Sequence, residues 1–403
     1  MKGWFCSVLM ILGVGFSAFG ARAEGERKTM EDLLVDKGVL TKDEAAAVQG
    51  RKFAAWIDRV TFSGDLRLRQ ESFWKDPAAD RHRQRFRLRL GSELKIGDLT
   101  VGIRLASGTG EQTSTNQSFD NLFSQKGIWI DRAFLRWQGS NSKWLALTGG
   151  KMPNPFFTVY STDAIWDEDV SPEGFAENFN VALGTGTVLF VNVAQLILDE
   201  DAGDTNDQWL FGQQVGISVA PAKDVKTTLA ATYYNFVNAE DGNFGQVTCL
   251  SGNTRATPPV GSCELLNDYN VLDVTALLAL KAGPLPVSVM GDYIMNTADP
   301  QDAAGNDTKD NGYQTGIILG KAGDPETWEA AYFYKRMGTD ATVADLADAD
   351  FGDGGTDRKG HIVWIAYSPT KALMAKLKFF RTERLSATRD DIDRLQADLV
   401  VKF

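Results

Sequence analysis

From residue 60 onward, hydrophobic positions recur every second residue. Val60, Phe62, Leu66 and Leu68 alternate with Thr61, Ser63, Asp65, Arg67 and Arg69. Phe86, Leu88 and Leu90 alternate with Arg85, Arg87 and Arg89, and Val101, Ile103 and Leu105 with Thr100, Gly102 and Arg104. The chain ends the same way, with Leu395, Ala397, Leu399, Val401 and Phe403 set against Arg394, Gln396, Asp398 and Lys402. A period of two means strands with one apolar and one polar face. The pattern predicts sixteen of them, near 60–70, 82–96, 98–106, 127–138, 143–152, 173–183, 186–198, 207–220, 224–237, 268–282, 285–297, 312–321, 326–337, 359–368, 371–383 and 391–403. Alternation fails near Asp131, where a bulge is expected, and 359–368 is apolar on both faces.

A soluble β-sandwich would bury the same leucines, so the period alone leaves the architecture open. Connection lengths decide it. Short turns such as Gly184-Thr185, Gly283-Pro284 and Ser368-Pro369-Thr370 follow the even strands, while 107–126, 153–172, 238–267, 298–311 and 338–358 follow odd ones. Short turns at one rim and long loops at the other are what an outer-membrane barrel requires. Lipid offers no hydrogen-bond partner, so the sheet must close on itself. The expected fold is all-β: a single 16-stranded antiparallel transmembrane β-barrel over 60–403 with a short N-terminal helical segment. That segment, 24–59, carries Leu33, Leu34, Val39 and Leu40 at helical spacing. A capping box, Thr41-Lys42-Asp43-Glu44, starts its second helix.

Residues 1–23 have the form of a signal peptide: Lys2, an apolar run from Trp4 to Phe19, then Ala21-Arg22-Ala23 as a cleavage site. Mean hydropathy is slightly negative, which excludes a helical membrane bundle but not a barrel whose strands are half apolar. The formal charge is −11, and cleavage would make it more negative, since the leader carries Lys2 and Arg22 and no acid. Two cysteines would remain, Cys249 and Cys263. In an oxidising compartment they would close a ring of about 15 residues, a constraint of roughly 3 kcal/mol; two free thiols are the other reading.

If leucines face lipid, their neighbours face the lumen. Arg67, Arg69, Arg85, Arg87, Arg89 and Arg104 then form a basic stripe across three adjacent strands. On the lipid side each would cost roughly 2–4 kcal/mol near the midplane, which sets the inward assignment. The stripe reads either as an anion-attracting wall or as lumen filling neutralised by acids such as Asp65, Glu93 and Asp398. Aromatic residues near strand ends (Trp56, Trp137, Trp144, Trp209, Tyr233, Tyr234, Trp328, Tyr332, Tyr334, Tyr367 and Phe403) suit interfacial girdles.

Three stretches carry a family resemblance: 33–41 in the helical lead, Gly150-Lys151-Met152-Pro153-Asn154-Pro155-Phe156, and Ile165-Trp166-Asp167-Glu168-Asp169-Val170-Ser171-Pro172-Glu173-Gly174-Phe175. With the terminal Phe403 they resemble the putative porin family of Gram-negative outer membranes. The resemblance implies a passive diffusion channel for small hydrophilic solutes or ions, set in outer-membrane lipid and lipopolysaccharide. Likeness to general porins implies a homotrimer. It also implies that the loop 153–172 folds inward, carrying Asp163, Asp167, Glu168 and Asp169, with Glu173 just beyond, to face the arginines; an ordinary solvated outer loop is the alternative. No cofactor and no nucleic acid is implied.

Further acids, Asp199, Glu200, Asp201 and Asp204, then Asp340, Asp345, Asp348, Asp350, Asp353 and Asp357, read as solvated outer loops. The stretch 348–354 hints at calcium but fails EF-hand spacing at Gly352 and Lys359. Enzyme readings fare badly: only His82 and His361 exist, and there is no Gly-x-Ser-x-Gly, metal-spaced His/Cys cluster or phosphate loop. The lead is too short for the plug of an energised transporter. A structural or adhesive barrel with a blocked lumen remains the alternative to a pore.

Overall fold

A computed structural model describes residues 34–42, 44, 59–160, 163–200, 202–203, 206–240, 252–256, 264–386 and 390–403. The leader 1–23, Trp56, Cys249 and Cys263 lie outside the described residues. The chain divides into two compact units, 1–57 and 58–403. In the first, 34–36 are helical. The capping box forms, with Thr41 N–H donating to Glu44 Oε2 at 2.8 Å and Glu44 N–H donating to Thr41 Oγ1 at 3.2 Å.

The second unit is one closed sheet. Its strands are β1 (Val60–Asp76), β2 (Arg81–Ile96), β3 (Leu99–Ser107), β4 (Gln117–Ser118), β5 (Ile128–Trp137), β6 (Leu145–Lys151), β7 (Glu173–Gly184), β8 (Thr187–Asp199), β9 (Gln208–Ala222), β10 (Val225–Val237), β11 (Tyr269–Ala282), β12 (Leu285–Asn296), β13 (Asn311–Gly320), β14 (Thr327–Met337), β15 (Arg358–Ser368), β16 (Leu373–Arg384) and β17 (Asp391–Lys402). Neighbours pair antiparallel, and β17 pairs with β1 to close a 16-stranded barrel. The two-residue β4 is not a wall strand. β3 is shorter than β2, and β4 covers the edge of β2 left bare above it, pairing Ser118 with Arg85 and Gln117 with Phe86.

Local chemistry explains the ends of the strands. Gly97 opens the two-residue turn between β2 and β3 with φ +59°, a left-handed conformation that glycine takes without strain. At the seam, Gly64 and Phe403 exchange main-chain hydrogen bonds at 2.8 and 3.1 Å. A Cβ on Gly64 would stand 2.5 Å from the Phe403 ring, so only glycine lets that ring lie down.

Side-chain phase follows the two-residue period. Leu68, Leu90 and Ile103 are exposed on the outer face, whereas Arg67, Arg69, Arg85 and Arg87 are buried inside. The expected bulge is present: Arg104 pairs with Arg132 and Leu105 with Ile130, leaving Asp131 as the extra residue. Trp144, Trp328, Tyr332, Tyr367 and Phe403 stand exposed, but Tyr234 is 1% exposed and packs inside against Phe156 and Trp166.

The interior contains two apolar plugs carried by loops. Met152, Phe156, Ile165, Trp166 and Val170 pack on Leu196, Leu210, Tyr234, Tyr269 and Ile294. Val159 and Phe351 pack with Phe333, Ile362, Trp364 and Phe380. This second plug explains why β15 is apolar on both faces: Ile362 and Trp364 meet loop side chains, while Val363 and Ile365 face outward. Each fully buried aromatic contributes about 2–3 kcal/mol by area removed from water.

Candidate functional site

The connection between β6 and β7 enters the barrel because the inner wall offers it hydrogen bonds. Met152 N–H donates to Pro172 O at 2.8 Å, closing the loop at its base. Asn178 donates to Pro155 O at 2.9 Å. Gln214 accepts from Phe157 N–H at 2.7 Å and donates to Phe157 O at 3.0 Å, and Asn192 donates to the same Gln214 oxygen at 2.7 Å. Farther along, Ala164 N–H donates to Asp292 at 2.6 Å and Lys335 donates to Asp163 O at 2.6 Å. These anchors were not singled out in the sequence. They are inward polar positions of ordinary strands, and only their amide-rich run hints at a clamped backbone.

The loop between β14 and β15 also folds in, contrary to the expectation of a solvated acidic loop. Asp340, Asp348 and Asp357 are buried. Asp340 accepts from Thr254 N–H at 2.9 Å and from the Tyr269 hydroxyl at 2.7 Å. The two loops dock on each other: Asp167 N–H donates to Leu346 O at 2.7 Å, and Ala349 N–H donates to the Asp167 carboxylate at 2.8 Å. Among the described residues no acidic or histidine cluster has metal-binding geometry.

All six arginines of the stripe are on the inner face, each with its own set of contacts. Arg87 and Arg89 share Asp65, with Nε to carboxylate distances of 3.0 and 2.7 Å. Arg69 gives Nε and NH2 to both oxygens of Asp398 at 2.7 and 2.8 Å and reaches Asp350 at 3.2 Å. Arg85 lies 3.5 Å from Glu71, and Arg104 pairs with Asp131. Arg67 donates to Asn116 Oδ1 at 2.6 Å. The sequence reading also missed Glu71, a fully buried carboxylate on β1 held by Arg83, Arg394 and Gln396.

Of the five loop acids, two reach this wall. Asp169 lies 3.5 Å from Arg89 and 3.8 Å from Arg87, and Glu168 lies 3.8 Å from Arg87. Asp163 and Asp167 instead fold the loop: Asp163 accepts N–H groups of Ile165 and Trp166 at 2.9 and 2.6 Å, and Asp167 that of Asp169 at 2.8 Å. Glu173 stands at the outer rim, exposed and 2.7 Å from Lys151. Burial pushes the Asp163 carboxyl up to about 6, against its backbone donors Trp166 and Ile165 and the Lys335 ammonium. Burial and then the neighbouring Asp169 and Asp348 also raise Asp167. Partial desolvation inside the barrel would raise Glu168 too, although its side chain stays partly exposed, but Arg87, Arg67, Lys378 and Arg89 together pull it down to about 2.

Between the stripe and the two loops lies a cavity of about 240 Å³, bordered by Arg67, Arg87 and Lys378 on the wall and by Glu168, Asp169 and Asp350 on the loops. A larger one, about 910 Å³, opens among the long connections and is lined by Asp131, Asp199, Glu200 and Asp345, with Lys151.

Residues 74–256 and 245–403 match the family model described as Putative porin. Among solved structures, the chain is similar to OprB of Pseudomonas putida in its high-pH structure, with a TM-score of 0.57 at 12% identity over 88% of this chain and 97% of that one. It is also similar to OmpF of Salmonella typhi in complex with daunomycin, with a TM-score of 0.52 at 10% identity over 85% and 97%. At such identities the likeness speaks for the fold alone. No curated protein is significantly similar in sequence. The match over most of the closed barrel shows the family: the chain belongs to the Putative porin family and is an outer-membrane porin.

Proposed function

We propose that the protein is a non-enzymatic diffusion channel for small hydrophilic solutes and ions, with its narrowest point between the arginine stripe and the inward loop. Arg67, Arg69, Arg85, Arg87, Arg89 and Arg104 form its basic wall, and Glu168 and Asp169 face that wall from the loop. The observation that carries this reading is the cavity of about 240 Å³ left between Arg67 and Arg87 on the wall and Glu168 and Asp169 on the loop. Opposed charges at a constriction set a field that sorts ions as they pass. Asp163, Asp167 and Glu173 serve it indirectly, two by shaping the loop and one at the rim. The Cys249–Cys263 pair, as a disulfide, would tie down the connection between β10 and β11. The exposed Asp199 and Glu200 at the end of β8 suit divalent bridging to lipopolysaccharide, and a homotrimer is the assembly this reading carries.

A second reading, a structural barrel with a blocked lumen, draws on the two apolar plugs. Single-channel recording of the folded protein in potassium chloride separates them. Ohmic openings support the channel, and a correctly folded but silent barrel refutes it.

A further inference from the structure

The cations bordering the 240 Å³ cavity are unequally served. Arg69, Arg87 and Arg89 each have a carboxylate within 3.5 Å. Arg67, Lys376 and Lys378 have none within ion-pair distance among the described residues. Asp398 stands opposite Lys376 in the β16–β17 register, yet gives both oxygens to Arg69. Asp350 is taken by Arg69 and Arg394.

What positions the two lysines is aromatic. Lys376 Nζ lies 4.4 Å from the centre of the Trp364 ring, and Lys378 Nζ lies 4.5 Å from Phe380 and 5.7 Å from Tyr160. A π face orients an ammonium but carries no net charge to neutralise it. Arg67 is buried, its Nε has no hydrogen-bond partner, and its one side-chain bond goes to the neutral Asn116. Three uncompensated cations at a confined site call for a counter-anion, since a buried charge without a partner is costly. Of the loop carboxylates that line the cavity, Asp169 faces Arg87 and Arg89, Asp350 serves Arg69 and Arg394, Asp348 lies 3.7 Å from Lys335 and Asp167 accepts the Ala349 N–H; Glu168, whose side chain is 42% exposed, stops 3.8 Å from Arg87.

Resting on the channel reading, we propose that Arg67, Lys376 and Lys378 form a binding station for a small oxyanion (a carboxylate or a phosphate), with Glu168 as the built-in competitor that a solute displaces. The Arg67 fork suits two oxygens of one anionic group, and the lysines add point charges from the side. A cavity of 240 Å³ lies below the roughly 300–1,000 Å³ typical of drug-sized ligands, which restricts the guest to a compact anion.

The test uses full-length protein folded in planar bilayers. Potassium chloride current is recorded while succinate or inorganic phosphate replaces chloride at constant ionic strength, and equilibrium dialysis of radiolabelled succinate is run on detergent-folded protein. We expect saturable reduction of the chloride current. The half-effective concentration should rise at least fivefold in K376Q/K378Q and in R67Q, and fall severalfold in E168Q. Whichever of succinate and phosphate saturates at lower concentration identifies the preferred oxyanion geometry. Openings that respond linearly to both anions, or equal saturation in K376Q/K378Q and wild type, would overturn the station while leaving the channel standing. A silent barrel that binds succinate, with binding lost in K376Q/K378Q, would keep the station and remove the channel. A silent barrel that binds none would remove both.

Discussion

The inner wall has two halves that treat their loops differently. From β7 to β15 it holds backbone: Asn178, Gln214 and Asp292 engage main-chain atoms of the loop, and apolar residues pack around Trp166 and Phe351. Across β1–β3 and β16–β17 it holds charge, with Asp65, Asp398 and Glu71 serving most of the guanidiniums and leaving three cations unserved. The contrast teaches a division of labour. Neutral hydrogen bonds and packing are short-ranged and hold a backbone in one place, which suits a clamp. Charges act farther and exchange partners readily, which suits a surface that solutes must grip and release.

The largest effect is expected on the clamp. Trp166→Ala removes a buried indole and its bond to the Tyr234 hydroxyl, at a cost of about 3–5 kcal/mol. Urea unfolding should register the loss, and single-channel steps should grow as the loop leaves the lumen. An unchanged denaturation midpoint would mean the plug does not hold the loop.

Next comes the charged half. Replacing Arg85, Arg87 and Arg89 together by glutamine should shift the reversal potential toward cations, with a severalfold change in permeability ratio and step sizes close to wild type. An unchanged preference would confine these arginines to filling space.

Acidity should separate the halves. The Asp163 carboxyl is raised from 3.8 to about 6, so the folded loop binds the proton more tightly than the released one. Its anchoring strengthens as pH falls from 7 toward 4 and is constant below. Glu168 is lowered from 4.5 to about 2, so its contribution is complete above 4.5 and disappears as pH falls through about 2. Unfolding midpoints followed against pH should rise on mild acidification in wild type and rise less in Asp163→Asn, where only the raised Asp167 remains in the loop. Anion preference should climb only below about pH 3. The smallest effect is reserved for the rim: Glu173→Gln breaks an exposed pair and should cost under about 1 kcal/mol, with ion preference untouched.

The barrel was legible because lipid imposes one rule on every strand, and even the interruption at Asp131 could be read from its broken alternation. The interior was less so. Tyr233 and Tyr234 look equivalent as aromatics near a strand end; only strand phase sends one outward and the other into the plug. The loop between β14 and β15 reads as solvated because its aspartates dominate its composition. What pulls it inside is Phe351, Val343 and main-chain donors that satisfy those aspartates, Thr254 N–H at Asp340 and Asp350 N–H at Asp348. Composition records the acids but not which N–H groups will meet them. The same limit applied to Asp163 and Asp167, whose carboxylates turn toward their own backbone.

The arginine wall straddles the seam at which the sheet meets itself. Asp398 reaches Arg69 over 329 positions of sequence, and Arg394 reaches Glu71 over 323. Neither contact, nor the meeting of Arg67 with the two lysines of β16, can exist in a nascent cylinder that still lacks its final strand. Those two pairings are thus installed by the last stitch, and a chain halted before closure would be a membrane-bound curtain in which Arg69 lacks Asp398 and Glu71 lacks Arg394.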